Sequence, residues 1–331
     1  MPEPSATFPG AQTGRAETAW QDGLIAQLDA IGPTLGRRLL RTPPASAEVI
    51  SAERFHDIEY LRLAINRCGE SLFGRMIGES EPEANWRPAV AASRFTRHYL
   101  GSMTVSALVA LAHGVGLDMS AERCLKLVEQ GLPRRQLVGE SDEGVVTCRE
   151  RPPSWAVQGA SMATLTDLRG YVWRQLYAAH LAPLFAATTA LTGAAPKVLW
   201  SNAAESVAYT ADTAAVGLPP DAAAPIVAEC EALLHATKLP GVAGPNPLTG
   251  LIGWTRIDAA DFPRGIQLRR HCCLTYQLPA REGLLCFNCP FLPLDERIAV
   301  AREMQGAGAT RGGPAVRRSI EIGKTKLRKH R

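Results

Sequence analysis

The residues with the most chemistry in this sequence are four cysteines crowded into 18 positions: Cys272, Cys273, Cys286 and Cys289. Cys286 and Cys289 make a C-x-x-C, a spacing at which one tight turn offers two sulfurs to one metal while backbone N–H groups hydrogen-bond to them. Zinc and iron both accept such a pair. Cys272 and Cys273 are adjacent, whereas the paired ligands of structural zinc are usually separated by intervening residues. Neighbouring side chains on an extended strand point to opposite faces. The adjacent pair therefore serves one metal only where the backbone turns sharply, and otherwise serves two. Four thiolates are the complement of a [2Fe-2S] centre, two for each iron. A structural zinc, or a redox disulfide, would use the same residues.

The surroundings add candidates. Arg269 and Arg270 precede the pair, and Tyr276 follows it. The two arginines would raise the potential of an anionic centre and attract an anionic ligand, or they are solvated surface charge. His271 beside Cys272 evokes an imidazole-ligated centre, but that chemistry needs two histidines on one iron and no second histidine is near in sequence. Cys68, Cys124, Cys148 and Cys230 stand singly on apolar patterns and read as small buried hydrophobes. His98, His113 and His180 are isolated within helical stretches and read as packed or surface residues. Trp173, Tyr177, Trp200 and Trp254 are candidates for a ligand pocket or for the core. Gly306, Gly308, Gly312 and Gly313 follow no expected strand, so they make no dinucleotide loop. Any electrons must then come from a separate donor.

The segment RRHCCLTYQLPAREGLLCFNCP, Arg269 to Pro290, resembles the C-terminal signature of the FhuF family of ferric-siderophore reductases, a Cys-Cys pair followed at a short interval by C-x-x-C. Upstream, VLWSNAAESVA, Val198 to Ala208, is similar to a Leu-Trp-x-Asn-x-Ala stretch of that family. The interval here, Leu274 to Leu285, holds 12 residues, longer than the family's usual one, and a turn at Pro279 to Gly283 absorbs the excess at little closure cost. The resemblance implies a [2Fe-2S] cluster on Cys272, Cys273, Cys286 and Cys289. It further implies one-electron reduction of a ferric siderophore to release Fe(II) in the cytoplasm, fed by a ferredoxin or flavin reductase. Two other readings use the same residues: a non-redox siderophore-handling protein with a structural zinc, and an iron-sulfur carrier or sensor for another substrate.

These residues must be positioned by a chain of 331 residues, 46% apolar and 21% charged, the range of a globular protein. The net charge of +4 divides unevenly: eight basic residues against Glu321 in the last 21 positions make a tail of +7 and leave the rest at −3. The body has no nucleic-acid signature; transient membrane-surface contact is conceivable for the tail alone. The opening MPEPSATFPG lacks a basic start and an apolar run, so cytoplasm is the expectation. Trp20, Leu24, Leu28 and Ile31 predict one helix, Ile58 to Leu72 a second, Arg94 to His113 a third and Ala121 to Gln130 a fourth. Val145 to Cys148 predicts a strand. Helical spacing returns over Leu168 to Leu191, Asn202 to Ala215 and Pro225 to Ala236, with Pro225 in a first turn, and over Asp295 to Met304. The expected fold is predominantly α-helical (α+β) with a small β element and a C-terminal cysteine-bearing [2Fe-2S] module. The expected division is a mobile leader (1–15), a mainly helical substrate-binding domain (16–250), the iron-sulfur module (251–304) and a basic disordered tail (305–331).

Overall fold

The computed structural model describes residues 19–32, 39–40, 43–45, 48–73, 87–129, 132–137, 145–153, 160–257, 262, 264–305 and 314–329. The expected leader lies outside them. Helix α1, Ala19–Ile31, buries Trp20, Leu24, Leu28 and Ile31, the predicted stripe. Helix α2, Ile58–Phe73, starts where Asp57 Oδ1 accepts the Glu59 and Tyr60 N–H groups at 2.8 and 3.0 Å, and it buries Leu61, Ile65 and Cys68. Helix α3, Pro88–Ala112, is the axis of the molecule. From Val90 to Ala112 every residue is buried except Arg94, Arg97 and His98. A helix apolar on nearly all sides is one that other elements surround.

Three small sheets lie around it. Strands β1 (Leu39–Leu40), β2 (Glu48–Ser51), β4 (Leu125–Glu129) and β5 (Leu132–Leu137) form a sheet ordered β1-β5-β4-β2. Strands β3 (Val115–Leu117), β6 (Val145–Cys148) and β7 (Ala160–Met162) form a second, ordered β3-β6-β7. The predicted Val145 strand is thus present. The Ala121 to Gln130 segment, expected to be helical, is instead β4. Its pairing with β2 and β5 overrides a weak helical pattern, and Lys126 is fully buried because its Nζ donates to Tyr99 O at 2.8 Å and Ser102 Oγ at 2.9 Å on α3.

Leu165 to Thr192 is one continuous helical run, α4 (Leu165–Trp173) and α5 (Ala182–Thr192) joined by a π-helical stretch, Arg174–Leu181. Pro183 explains the wide turns: it has no N–H to give and its ring crowds the preceding turn. Helix α6, Pro196–Gly217, packs on α3, and helix α7, Pro220–His235, packs on α6. Pro220 holds the first-turn position, and Pro225, expected there, lies inside α7. The antiparallel pair β8 (Ile252–Thr255) and β9 (Ile266–Arg269) then leads into the cysteine segment, followed by α8, Leu294–Gln305. The tail, expected to be disordered, contains a helix over its described part, α9, Pro314–Lys329. Among the described residues no helix is long and apolar enough to cross a membrane. The result is a mostly helical α+β chain with small sheets.

Candidate metal centre

Strand β9 delivers the chain to the first two cysteines. Arg269 N–H donates to Asn288 O at 3.0 Å and Arg270 N–H to Leu251 O at 2.9 Å, which anchors the strand end on both sides. Directly after Cys273 the backbone turns through Leu274, at φ 62 in the left-handed region. The two adjacent cysteines go to different partners, as neighbouring side chains of an extended segment do. A second turn, closed by Cys289 N–H to Cys286 O at 2.9 Å, presents the other two sulfurs.

The four sulfurs converge as nested pairs. Cys273 Sγ is 3.8 Å from Cys286 Sγ, and Cys272 Sγ is 3.9 Å from Cys289 Sγ. A disulfide would bring them to about 2.0 Å. Two sulfurs on one tetrahedral ion, each at about 2.3 Å, stand about 3.8 Å apart, so each pair has the separation of two ligands to one metal. Among the described residues no three or more His, Cys, Asp or Glu side chains surround a single point as a one-ion cage. The sulfurs divide into two whose pKa is lowered and two whose pKa is raised. Hydrogen bonds from Cys272 and Cys286, then the nearby Arg97 and Arg269 charges, hold Cys273 well below the ordinary thiol range. Hydrogen bonding from Cys272 lowers Cys289, with help from the Phe291 backbone N–H. The donors shift upward, Cys272 through Cys273 and Cys289, and Cys286 through Cys273. Leu274 N–H also points at Cys272 Sγ, 3.4 Å away.

A buried polar network fixes this segment to α3 and α6. Asn202 Nδ2 donates to Ser93 O, Ser93 Oγ and Thr96 Oγ1 at 3.0 to 3.1 Å, while its Oδ1 accepts from Arg269 Nη2 at 2.7 Å. Ser93 Oγ donates to Cys273 O at 2.7 Å. Glu205 accepts from Arg269 Nη1 at 2.7 Å, Arg97 Nη2 at 3.0 Å and Asn288 Nδ2 at 3.1 Å. Arg269 is thus a buried structural cation, 1% exposed, whose charge is balanced and whose donors are used. Arg270 is exposed and makes no such link. Tyr276 is buried edge-on against Phe291 at 5.9 Å, in a small apolar cluster with Leu285, Cys289, Leu292 and Val300. His271 is half-buried, and its carbonyl accepts from Arg269 Nε at 3.2 Å.

Two adjoining cavities of about 470 and 340 Å³ share Arg97, Glu205 and Tyr209 as wall, and no cysteine lines either. Phe287 and Asn288, the two residues between Cys286 and Cys289, line the larger. Arg94 and His98 line the smaller. Neither cavity is lined by Trp173, Tyr177, Trp200 or Trp254. The first two are buried in the core, Trp200 packs on it, and Trp254 donates its indole N–H to Asp212 at 3.0 Å. Cys68, Cys124, Cys148 and Cys230 are buried as expected.

Three groups at the site have unmet hydrogen-bonding capacity. Arg97 Nη1, Arg94 Nε and Asn288 Oδ1 are buried without a partner. Burial works against the Arg97 charge, but Glu205, then Cys273 and Cys286, outweigh it and keep the guanidinium protonated. Four paired cysteine sulfurs with guanidinium donors beside them fit an anionic group with sulfur acceptors, which is the character of a [2Fe-2S] centre on four cysteines. Sequence reasoning missed Arg94, Arg97, Glu205 and Tyr209. For the first two a signal existed: Arg94, Arg97 and His98 share one helix face at spacings of three and four, just ahead of a stretch with almost no charge.

Among solved structures the chain is similar to the aerobactin synthetases IucA and IucC from a hypervirulent pathotype of Klebsiella pneumoniae, at 12% and 13% identity with TM-scores of 0.45 and 0.43. In both cases 62% of this chain is covered, and the chain spans 37% of the length of the synthetase. No curated protein matches. Residues 93–253, which run from Ser93 through Arg97, Asn202 and Glu205 to β8 and stop short of the four cysteines, match the family model described as ferric iron reductase FhuF-like transporter.

Proposed function

We propose that this protein reduces the Fe(III) of a ferric siderophore to Fe(II) by one electron, using a [2Fe-2S] centre held by Cys272, Cys273, Cys286 and Cys289. The observation that carries the reading is the position of the paired sulfurs: the turn bearing Cys286 and Cys289 forms, through Phe287 and Asn288, part of the wall of the 470 Å³ cavity. The match of residues 93–253 to a ferric iron reductase family agrees with it. When bound, the centre supplies a carrier that changes by one electron, the stoichiometry that Fe(III) requires. Oxygen ligands hold Fe(III) far more tightly than Fe(II), so the added electron loosens the chelate without breaking a covalent bond. This chain's residues do the rest: Asn202, Glu205 and Arg269 hold the cysteine segment in place, and Arg97 places a positive charge between sulfurs and cavity. The electron comes from an external donor, a reduced ferredoxin or a flavin reductase.

Anaerobically reconstituted protein should be brown, with charge-transfer bands at roughly 400 to 600 nm, and after dithionite reduction it should convert a ferric siderophore to Fe(II) trapped by a ferrous chelator. Serine at Cys273 or Cys286 should abolish colour, bound iron and Fe(II) formation together. A colourless zinc protein, or serine variants that keep all three, would refute the proposal.

A further inference from the structure

Charge is distributed unevenly along this chain, and the positive surplus lies on the cysteine module and the helix after it. Residues 266–331 carry 13 lysines and arginines against five acids, Glu282, Asp295, Glu296, Glu303 and Glu321, a net +8, and residues 1–265 carry −4. Arg269 is balanced by Glu205 of α6, which leaves +7. An oxidised [2Fe-2S] centre on four thiolates brings about −2, so about +5 remains. Helix α9 holds six of the basic residues and one acid, Glu321. Arg318 is offset by Glu296 at 3.5 Å and Glu321 at 3.4 Å, whereas Arg317 and Lys324 are exposed and form no ion pair among the described residues.

This helix is seated beside the sulfurs. Ser319 holds Leu285, the residue before Cys286, through bonds of 3.1 and 3.2 Å, and Lys326 lies over the Phe291 ring, 5.1 Å from its centroid. A helix with its side chains is about 10 to 12 Å across, so a molecule resting on α9 stays within about one helix width of the cysteine segment. Neither cavity is lined by a residue of α9, which leaves the chelate its own entrance. Ile322 is packed into the cluster around Cys289 and turned away from any lipid that an amphipathic helix would enter. Phe291, under Lys326 and edge-on to Tyr276, offers no open ring on which a nucleic-acid base could stack.

We infer that α9 and the module surface around it are the docking surface for the electron donor, and that this donor is an acidic one-electron carrier protein. The inference rests on the reductase reading for the need of a donor, and on charge and position for the site. The donor is oxidised by one electron and the centre reduced by one, with no bond or proton moved. Opposite charge on the two surfaces steers the encounter and sets its rate, while the acidic body gives such a partner no attraction elsewhere.

The probe is an acidic [2Fe-2S] ferredoxin. In oxidised form it would be titrated by calorimetry into the reconstituted full-length protein, and coupled to it with a carbodiimide, which joins carboxylates to lysines. Affinity should fall at least about tenfold between about 0.05 and 0.5 M salt, where screening shortens to a few ångströms, with cross-links at Lys324 or Lys326. Arg317→Glu combined with Lys324→Glu should weaken binding at least about tenfold at low salt, with bound iron and helical circular dichroism unchanged. Fe(II) formation above the protein-free rate should slow to the same degree in that variant when pre-reduced ferredoxin supplies the electrons, and should not slow with the methyl viologen radical cation. No binding, binding indifferent to salt or to the charge reversal, cross-links confined to Lys197 or Lys238, or equal slowing with both donors would each overturn the inference. Sedimentation with phosphatidylserine vesicles that the charge reversal abolishes, while ferredoxin binding stays the same, would overturn it in favour of a membrane. A protein that assembles no iron centre would refute the reductase reading, whereas one that forms Fe(II) with viologen and ignores ferredoxin would refute this inference alone.

Discussion

At the scale of single residues, the buried polar groups of this protein divide into those balanced within the fold and those that leave a demand at the cavity. Arg269 belongs to the first kind, with Glu205, Asn202 and the His271 carbonyl using its donors. His180 does too. Its Nδ1–H donates to Met119 O at 2.7 Å and its Nε2 accepts from the Tyr99 hydroxyl at 2.6 Å, so the neutral ring is satisfied at both nitrogens. Burial above all lowers its pKa to about 3, against about 6.5 in the unfolded chain. Above about pH 6.5 neither state binds the proton and the full stability is present. As pH falls below that value, the unfolded chain takes up a proton that the folded one refuses, so stability drops by on the order of 1.4 kcal/mol per pH unit until about pH 3. Urea unfolding between about pH 6.5 and pH 5 should therefore show a steeper loss in the wild type than in His180→Gln. Parallel pH profiles for the two proteins would show that His180 is not held neutral.

At the scale of elements, the tail helix α9 changes the meaning of its sequence. Its six basic residues suggest a solvated end, but Ser319 Oγ accepts Leu285 N–H at 3.1 Å and donates to Leu285 O at 3.2 Å, gripping the residue before Cys286 from both sides. Gly323 passes so close to Gly283 that a Cβ on it would lie 1.8 Å from the Gly283 carbonyl oxygen. Ile322 adds to the apolar cluster around Cys289. Gly323→Val should thus force α9 off the module, speed tryptic cleavage at Arg317 and Arg318, and lower the iron retained after gel filtration; unchanged cleavage and iron content would mean that the helix only decorates the surface. Sequence periodicity could not show this docking. It found α1 and α2 because each buries a regular stripe in a large core, α3 because a long run with almost no charge is buried on nearly every side, and the strand at Val145 from β-branched residues between breakers. It failed at Leu125–Glu129, where strand pairing sets the structure, and at α9, where Ser319 and Gly323 join Ile322 in the contact and the dense basic residues mask that face. The candidate site was legible to the same degree: the sulfurs by spacing and Asn202 by motif, but Arg94, Arg97 and Glu205 not at all, since their roles depend on which helices meet.

At the scale of the whole molecule, the described residues hold a large core running from α1 to β8 and a much smaller one around the cysteines, with Tyr276, Leu285, Cys289, Leu292 and Val300 at its centre. Ser93, Asn202, Glu205 and Arg269 tie the two together through hydrogen bonds and ion pairs. A small apolar cluster contributes little stability by itself, and thiolates crowded beside one another repel unless something bridges them. If iron bridges them, its binding free energy is folding free energy for this module and for little else. Stripping iron from reconstituted protein with a chelator under reducing conditions should then raise amide hydrogen exchange over residues 270–292 and 314–329, while α3 and α6 keep their protection because their burial does not depend on the metal. The polar network sets the limit of the loosening: exchange should rise after Arg269, where the strand leaves its partners on α6, and not before β8. Exchange that rises equally throughout the chain would mean that the two cores unfold as one unit, and exchange that does not rise at all would mean that the cysteine segment holds its shape without metal.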